Sequence, residues 1–220
     1  MKNKFGYMLF DLDGTLTESG PGIMNCVKYA LEKFGIVEES NEALKRFIGP
    51  PLVDSFMNFY GFSEADARKA MAFYRERFSP VGIFENSVYD GIKETLEKLK
   101  SDGTKLFVAT SKPEIYVPKI LSHFDLDGYF EFAGGSDLAE TRSEKAKVID
   151  FVIKQNSLEK EAACGNVVMI GDRLHDVAGA KKNGIPCIGV LWGYGSREEL
   201  EKYGADFIIS RPEELLGFSR

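Results

Sequence analysis

The stretch Tyr7-Met8-Leu9-Phe10-Asp11-Leu12-Asp13-Gly14-Thr15 decides the fold. A short apolar run that stops at a polar cluster reads as a buried strand opening into a loop. Asp11 and Asp13 stand two apart at its end, and Gly14 permits an unusual backbone beside them. Similar runs recur at Leu106-Phe107-Val108-Ala109, Val167-Val168-Met169-Ile170, Cys187-Ile188-Gly189-Val190 and Phe207-Ile208-Ile209. Helical periodicities lie between them: Ile92, Leu96 and Leu99; Ile115, Ile120, Leu121 and Phe124; Val148, Ile149 and Val152. Strand alternating with helix specifies an α/β fold, a parallel sheet with helices covering both faces.

The alternation breaks over residues 17–86, where only helical faces occur: Ile23, Val27, Ala30, Leu31 and Phe34; Val53, Phe56, Met57 and Tyr60; Ala67, Ala70, Met71, Tyr74 and Phe78. Gly35, Gly49-Pro50-Pro51 and Gly61 punctuate them. This predicts a small α-helical domain at 17–86, inserted into a sheet domain made of 1–16 and 87–220. Its ends fall near the carboxyl edge of the first strand, where such an insertion would overhang the usual ligand crevice. The chain's 220 residues suit one domain with an insertion better than two full domains.

Composition excludes several classes. The net charge is -6 and no block of Lys or Arg tracks a phosphate backbone, so no nucleic-acid partner is expected. With 44% hydrophobic and 28% charged residues the chain is globular in composition. No run approaches the roughly eighteen apolar residues of a membrane span, and the N-terminal apolar stretch is too short for a signal peptide. A cytoplasmic monomer or homodimer without membrane association is the expectation. Cys26, Cys164 and Cys187 have neither disulfide-framework nor zinc spacing and read as reduced, space-filling residues.

A second acidic pair, Asp172 and Asp176, follows the strand at 167–170. Two carboxylate clusters at strand ends of one parallel sheet converge on one crevice. Four such carboxylates repel each other and any anion, so they require a cation, and an all-oxygen donor set suits Mg2+. Thr110-Ser111-Lys112-Pro113, read as a helix start, offers hydroxyls and free N–H groups to an anion. Lys145 adds positive charge, with Lys147 as the alternative in register. Neither a GxSxG elbow nor a GxxxxGK[ST] loop is present, which removes serine hydrolases and P-loop nucleotide binding.

Together Asp11-Leu12-Asp13-Gly14-Thr15, Thr110, Lys145 and Gly171-Asp172-x-x-x-Asp176 resemble the four motifs of the haloacid dehalogenase superfamily. Asp172-Arg173-x-His175-Asp176-Val177 and Gly193-Tyr194-Gly195 are similar to phrases of its phosphoglycolate phosphatase-like branch. The resemblance implies a Rossmann-like core with a helical cap, and a Mg2+-dependent phosphatase acting on a small phosphate monoester, such as a phosphoglycolate-like acid or a nucleoside monophosphate. It implies Asp11 as nucleophile forming an aspartyl-phosphate and Asp13 as general acid and base. Metal ligands would be Asp11, the Asp13 backbone carbonyl and Asp172, with Asp176 orienting metal-bound water or Lys145. Thr110, the Ser111 N–H and Lys145 would bind the phosphoryl group, and Arg46 with Gly49-Pro50-Pro51 would form the cap's specificity loop. Dehalogenases of the superfamily lack the second carboxylate that Asp13 supplies. Its sugar phosphomutases carry a cap histidine where this chain has Ile23. A pyrophosphatase, a mutase and, from another class, a phospho-accepting signalling module are the alternatives; Asp13 and the insertion count against the last.

Overall fold

The computed structural model describes residues 4–137 and 141–220. Its elements in chain order are β1 (Tyr7–Phe10), α1 (Gly20–Glu32), α2 (Asn41–Lys45), α3 (Leu52–Tyr60), α4 (Glu64–Phe78), α5 (Ile92–Ser101), β2 (Lys105–Pro113), α6 (Val117–His123), β3 (Phe132–Ser136), α7 (Lys145–Gln155), α8 (Glu159–Ala163), β4 (Val167–Gly171), α9 (Leu174–Lys182), β5 (Cys187–Val190), α10 (Arg197–Tyr203) and β6 (Phe207–Ile209). Short 3₁₀ turns lie at Gly82–Phe84, Asp127–Tyr129 and Pro212–Phe218.

Two compact units divide the chain, one of residues 1–17 and 88–220, the other Glu18–Ser87. In the first, six parallel strands lie in the order β3-β2-β1-β4-β5-β6. The order reverses at β1, which pairs with β2 on one side and β4 on the other, so the loops after β1 and β4 open at a switch point. β4 is buried along its whole length, which explains its unbroken apolar run. Leu9, Phe107, Met169 and Cys187 of the sheet pack with Val148, Ile149 and Val152 of α7 and Val177 of α9.

β3, Phe132-Ala133-Gly134-Gly135-Ser136, shows no apolar run and so carries no strand signal in the sequence. Its glycines answer to packing. A Cβ at Gly134 would lie 2.5 Å from Val152 Cγ2, and one at Gly135 would lie 2.5 Å from the Lys112 carbonyl oxygen. The expected helix start at Thr110–Pro113 is corrected as well: β2 runs through Pro113, and α6 begins only at Val117. Pro113 biases Lys112 towards extended backbone. β3 extends the pairing, with Pro113 opposite Ser136 and the Glu114 N–H donating to the Ser136 carbonyl at 2.9 Å.

The second unit is helical. Ile23, Cys26, Val27, Ala30 and Leu31 form the buried side of α1. Phe47, almost fully buried, packs its ring against Phe56, Phe59 and Tyr60 at centroid distances of 5.0, 5.3 and 5.9 Å. Gly22 lets α1 meet the 3₁₀ turn, since a Cβ there would sit 2.1 Å from the Gly82 carbonyl oxygen. Cys26 and Cys187 are buried, whereas Cys164 is exposed and fills no space. No helix among the described residues is long and apolar enough to cross a membrane.

Candidate active site

The loop after β1 carries the first pair of acids. Asp11 keeps strand register, its N–H donating to the Ile170 carbonyl of β4 at 2.9 Å. The chain then folds back: the N–H groups of Leu16 and Thr17 donate to the Leu12 carbonyl at 3.0 and 2.9 Å, and the Gly14 N–H to the Thr17 carbonyl at 2.8 Å. Gly14 has φ +82°, and a Cβ there would lie 2.3 Å from Asp172 Oδ2, so backbone and space both demand glycine.

Asp172, at the end of β4, is fully buried. Its Oδ2 accepts the Tyr194 N–H at 2.8 Å, and Thr15 Oγ1 lies 3.4 Å from its Oδ1. The Gly193-Tyr194-Gly195 loop approaches so closely that a Cβ on Gly195 would lie 1.9 Å from the Asp172 carbonyl oxygen. Those glycines therefore serve Asp172. Asp176, in the first turn of α9, accepts the Arg173 N–H on Oδ2 at 3.1 Å, and Gly171 leaves it room, since a Cβ there would lie 2.1 Å from Asp176 Cγ.

Lys145, the first residue of α7, joins these parts. Its Nζ lies 2.7 Å from Asp11 Oδ1 and 2.9 Å from Asp176 Oδ1, and it donates to the Ala109 carbonyl at 3.0 Å. Two carboxylate oxygens and one carbonyl thus surround the ammonium. Gly179 of α9 makes way for the lysine stem, since a Cβ there would approach Lys145 Cγ to 2.9 Å. Lys147 is exposed and donates to the Thr141 carbonyl. Thr110 is buried, and its hydroxyl hydrogen-bonds to the Asp11 carboxylate. Ser111 is half-buried, its carbonyl accepting from the Ser136 hydroxyl at 2.8 Å. Without a helix start at 110–113, no helix dipole acts on these two residues.

Lys112, which lies outside the motif residues, is buried with Nζ 2.8 Å from Asp13 Oδ2. Reading Thr110–Pro113 as a helix start hides it, since the strand runs on through Pro113.

The electrostatics ask for a cation. Burial, with Asp176 beside it, pushes Asp11 up to about 6 despite the opposing pull of Lys145. Burial, reinforced by Asp176 and Asp11, holds Asp172 well above the usual carboxylate range. Burial works against the charge of Lys145, but Asp11 and Asp176 outweigh it and keep the lysine protonated. Asp11, Asp172 and Asp176 each offer an oxygen within 4.8 Å of the others, a cluster fit to hold a metal ion. With all four carboxyls ionised, the two ammonium groups of Lys112 and Lys145 leave two negative charges, which one divalent cation would cancel. Asp176 Oδ1 faces the Lys145 ammonium and its Oδ2 accepts the Arg173 N–H.

The predicted specificity loop lies in the helical unit. Gly49 has φ +106°, Pro51 precedes α3 and accepts the Ser55 N–H at 3.0 Å, and Pro50 stands between them. Arg46 is exposed, its guanidinium 3.9 Å over the Phe59 ring. Arg77 pairs with Glu85 at 2.7 Å.

The haloacid dehalogenase-like hydrolase model matches residues 8–190. The chain belongs to that family of hydrolases. It is 46% identical over 200 residues to a 5'-nucleotidase of Pseudomonas aeruginosa, covering 91% of this chain and 89% of that protein. It is 36% identical over 195 residues to the tyrosine-protein kinase PtkA of Mycobacterium tuberculosis, spanning 89% of this chain and 65% of that protein. A crystal structure of a predicted phosphatase from Clostridium acetobutylicum superposes with a TM-score of 0.90 at 46% identity, covering 97% of each chain.

Proposed function

We propose that the chain is a Mg2+-dependent phosphatase that hydrolyses small phosphate monoesters through an aspartyl-phosphate on Asp11, with nucleoside monophosphates as the first substrate class to test. The observation that carries this reading is Asp11 itself: a buried carboxylate gripped by the Lys145 ammonium and the Thr110 hydroxyl, two residues from a second acid. The 46% identity to a 5'-nucleotidase is the reason to test nucleoside monophosphates before phosphoglycolate-like acids.

Asp11 attacks phosphorus in line as the ester P–O bond breaks, and the Asp13 carboxyl gives its proton to the leaving alkoxide. Asp13, now a carboxylate, takes a proton from the water whose oxygen attacks the same phosphorus. The bond to Asp11 breaks, inorganic phosphate leaves, and both acids return to their starting forms. Lys145, Thr110 and the Ser111 N–H hold the phosphoryl oxygens. Asp11, Asp172 and the Asp13 main-chain carbonyl would bind Mg2+, whose charge lets a phosphoryl dianion approach a carboxylate nucleophile. Asp176 acts by fixing Lys145 and needs no contact with substrate.

Purified protein is assayed on p-nitrophenyl phosphate, nucleoside 5'-monophosphates, phosphoglycolate, a sugar phosphate and pyrophosphate, with Mg2+ and with EDTA. Turnover that requires Mg2+, favours nucleoside monophosphates and falls more than about a thousandfold in Asp11→Asn is expected. Turnover surviving in Asp11→Asn contradicts the mechanism; preference for another ester revises the substrate alone.

A further inference from the structure

Lys112 takes no part in the steps above, yet its placement is specific. It lies on β2 where the pairing with β3 shifts register between Ala109 and Pro113. Its own N–H donates to Thr110 Oγ1 at 3.2 Å, and Gly135 of β3 crosses close beneath, where a Cβ would lie 2.5 Å from the Lys112 carbonyl oxygen. The side chain is 6% exposed and ends 2.8 Å from Asp13 Oδ2. The other oxygen, Asp13 Oδ1, is buried and has no hydrogen-bond partner among the described residues.

Stability alone is a poor reason for this pair. A long side chain loses rotamer freedom when pinned, and a buried ion pair is commonly no better than a well-packed apolar substitute. Orientation is a better reason. The terminal torsion of an aspartate is broad and nearly two-fold, so an untethered carboxyl swings. Anchoring one oxygen fixes the direction of the other.

We infer that Lys112 is the positioning residue for Asp13: by holding Oδ2 it presents Oδ1, the oxygen without a partner, to the reacting groups. Oδ1 carries the proton to the leaving alkoxide and, as carboxylate, accepts one from the attacking water. Lys112 gains and loses no proton in the cycle. The inference rests on the reading of Asp13 as acid and base given above.

The test uses full-length protein with Mg2+ and p-nitrophenyl phosphate, whose leaving group needs little protonation. Lys112→Met should lower kcat by about tenfold or more with KM within about twofold of wild type, a fraction of the hundredfold or greater effect of a complete acid–base group. Because the second step still needs the base, the variant should release a burst of nitrophenolate while phosphoenzyme accumulates. Lys112→Arg should recover most of the rate. The double variant Asp13→Asn with Lys112→Met should be no slower than Asp13→Asn alone, since Lys112 acts only through Asp13. Should Lys112→Met fail to fold, Lys112→Gln, which keeps an N–H donor, is held to the same burst and double-variant outcomes.

A Lys112→Met variant with wild-type kcat, a loss confined to KM, or single-variant losses that multiply in the double variant overturns the inference. If Asp13→Asn keeps full activity, the acid–base reading falls and this inference with it. If Asp13→Asn is slow and Lys112→Met is not, the assignment of Lys112 alone falls.

Discussion

At Asp11 the folded protein disfavours the charged form. Its carboxyl is pushed up to about 6 by burial, from an ordinary value of 3.8, so in the absence of metal its ionisation opposes folding. The sign follows: that penalty is absent below about pH 4, grows as pH rises through about 6, and is full at pH 7. In EDTA, Asp11→Asn should therefore gain more in melting temperature over wild type at pH 7 than at pH 5; an equal gain at both would contradict it. Mg2+ should raise the melting temperature of the wild type by binding the folded state and should do little for Asp172→Asn. Thermal scans at matched Mg2+ concentration check this. Asp11, Asp13, Asp172 and Asp176 were legible in sequence because each acidic pair directly follows an apolar run. Lys112 was not, because Thr110–Pro113 resembles a helix start. Only the structure shows the strand running on to Pro113, with Thr110 and Lys112 both buried.

Between residues and whole units, the elements carry their own constraint, which is close approach. β3 escaped the sequence reading because Gly134 and Gly135 are selected for thinness under α7 and against β2, and thinness leaves no apolar signature. The five strands with branched or aromatic runs were legible because their side chains fill the core. Gly193-Tyr194-Gly195 was visible as a phrase, but its service to Asp172 needs the third dimension. Gly135→Ala should destabilise by about 1–3 kcal/mol, the usual cost of overpacking, and lower the melting temperature accordingly. Gly128→Ala, where nothing lies within 4 Å of the added methyl, should change it little. Equal melting temperatures for the two variants would refute the packing account of β3. Gly195→Ala should weaken Mg2+ binding, seen as a smaller Mg2+-induced rise in melting temperature than in wild type.

For the molecule as a whole, length and the absence of strand patterning over 17–86 carry the expectation of an inserted helical domain. The chain leaves and re-enters the sheet unit side by side: Thr17 pairs antiparallel with Val88, and Glu18 N–H donates to the Ser87 carbonyl at 2.8 Å. Replacing 18–87 by a short Gly-Ser link should therefore leave a sheet unit that melts cooperatively and still gains stability from Mg2+, whereas loss of the Mg2+ response would show that the metal site needs the helical unit. Composition gave no reason to expect polynucleotide partners and was silent on substrate, because the -6 net charge hides a local cluster of four carboxyls and two lysines. The central claim, covalent catalysis on Asp11, is tested most directly by adding borohydride during turnover and mapping the product by peptide mass spectrometry. An aspartyl-phosphate is reduced to homoserine, so the account predicts homoserine at position 11, dependent on substrate and Mg2+. An unmodified Asp11 under conditions that trap an authentic acyl phosphate, or homoserine at another position, would contradict it.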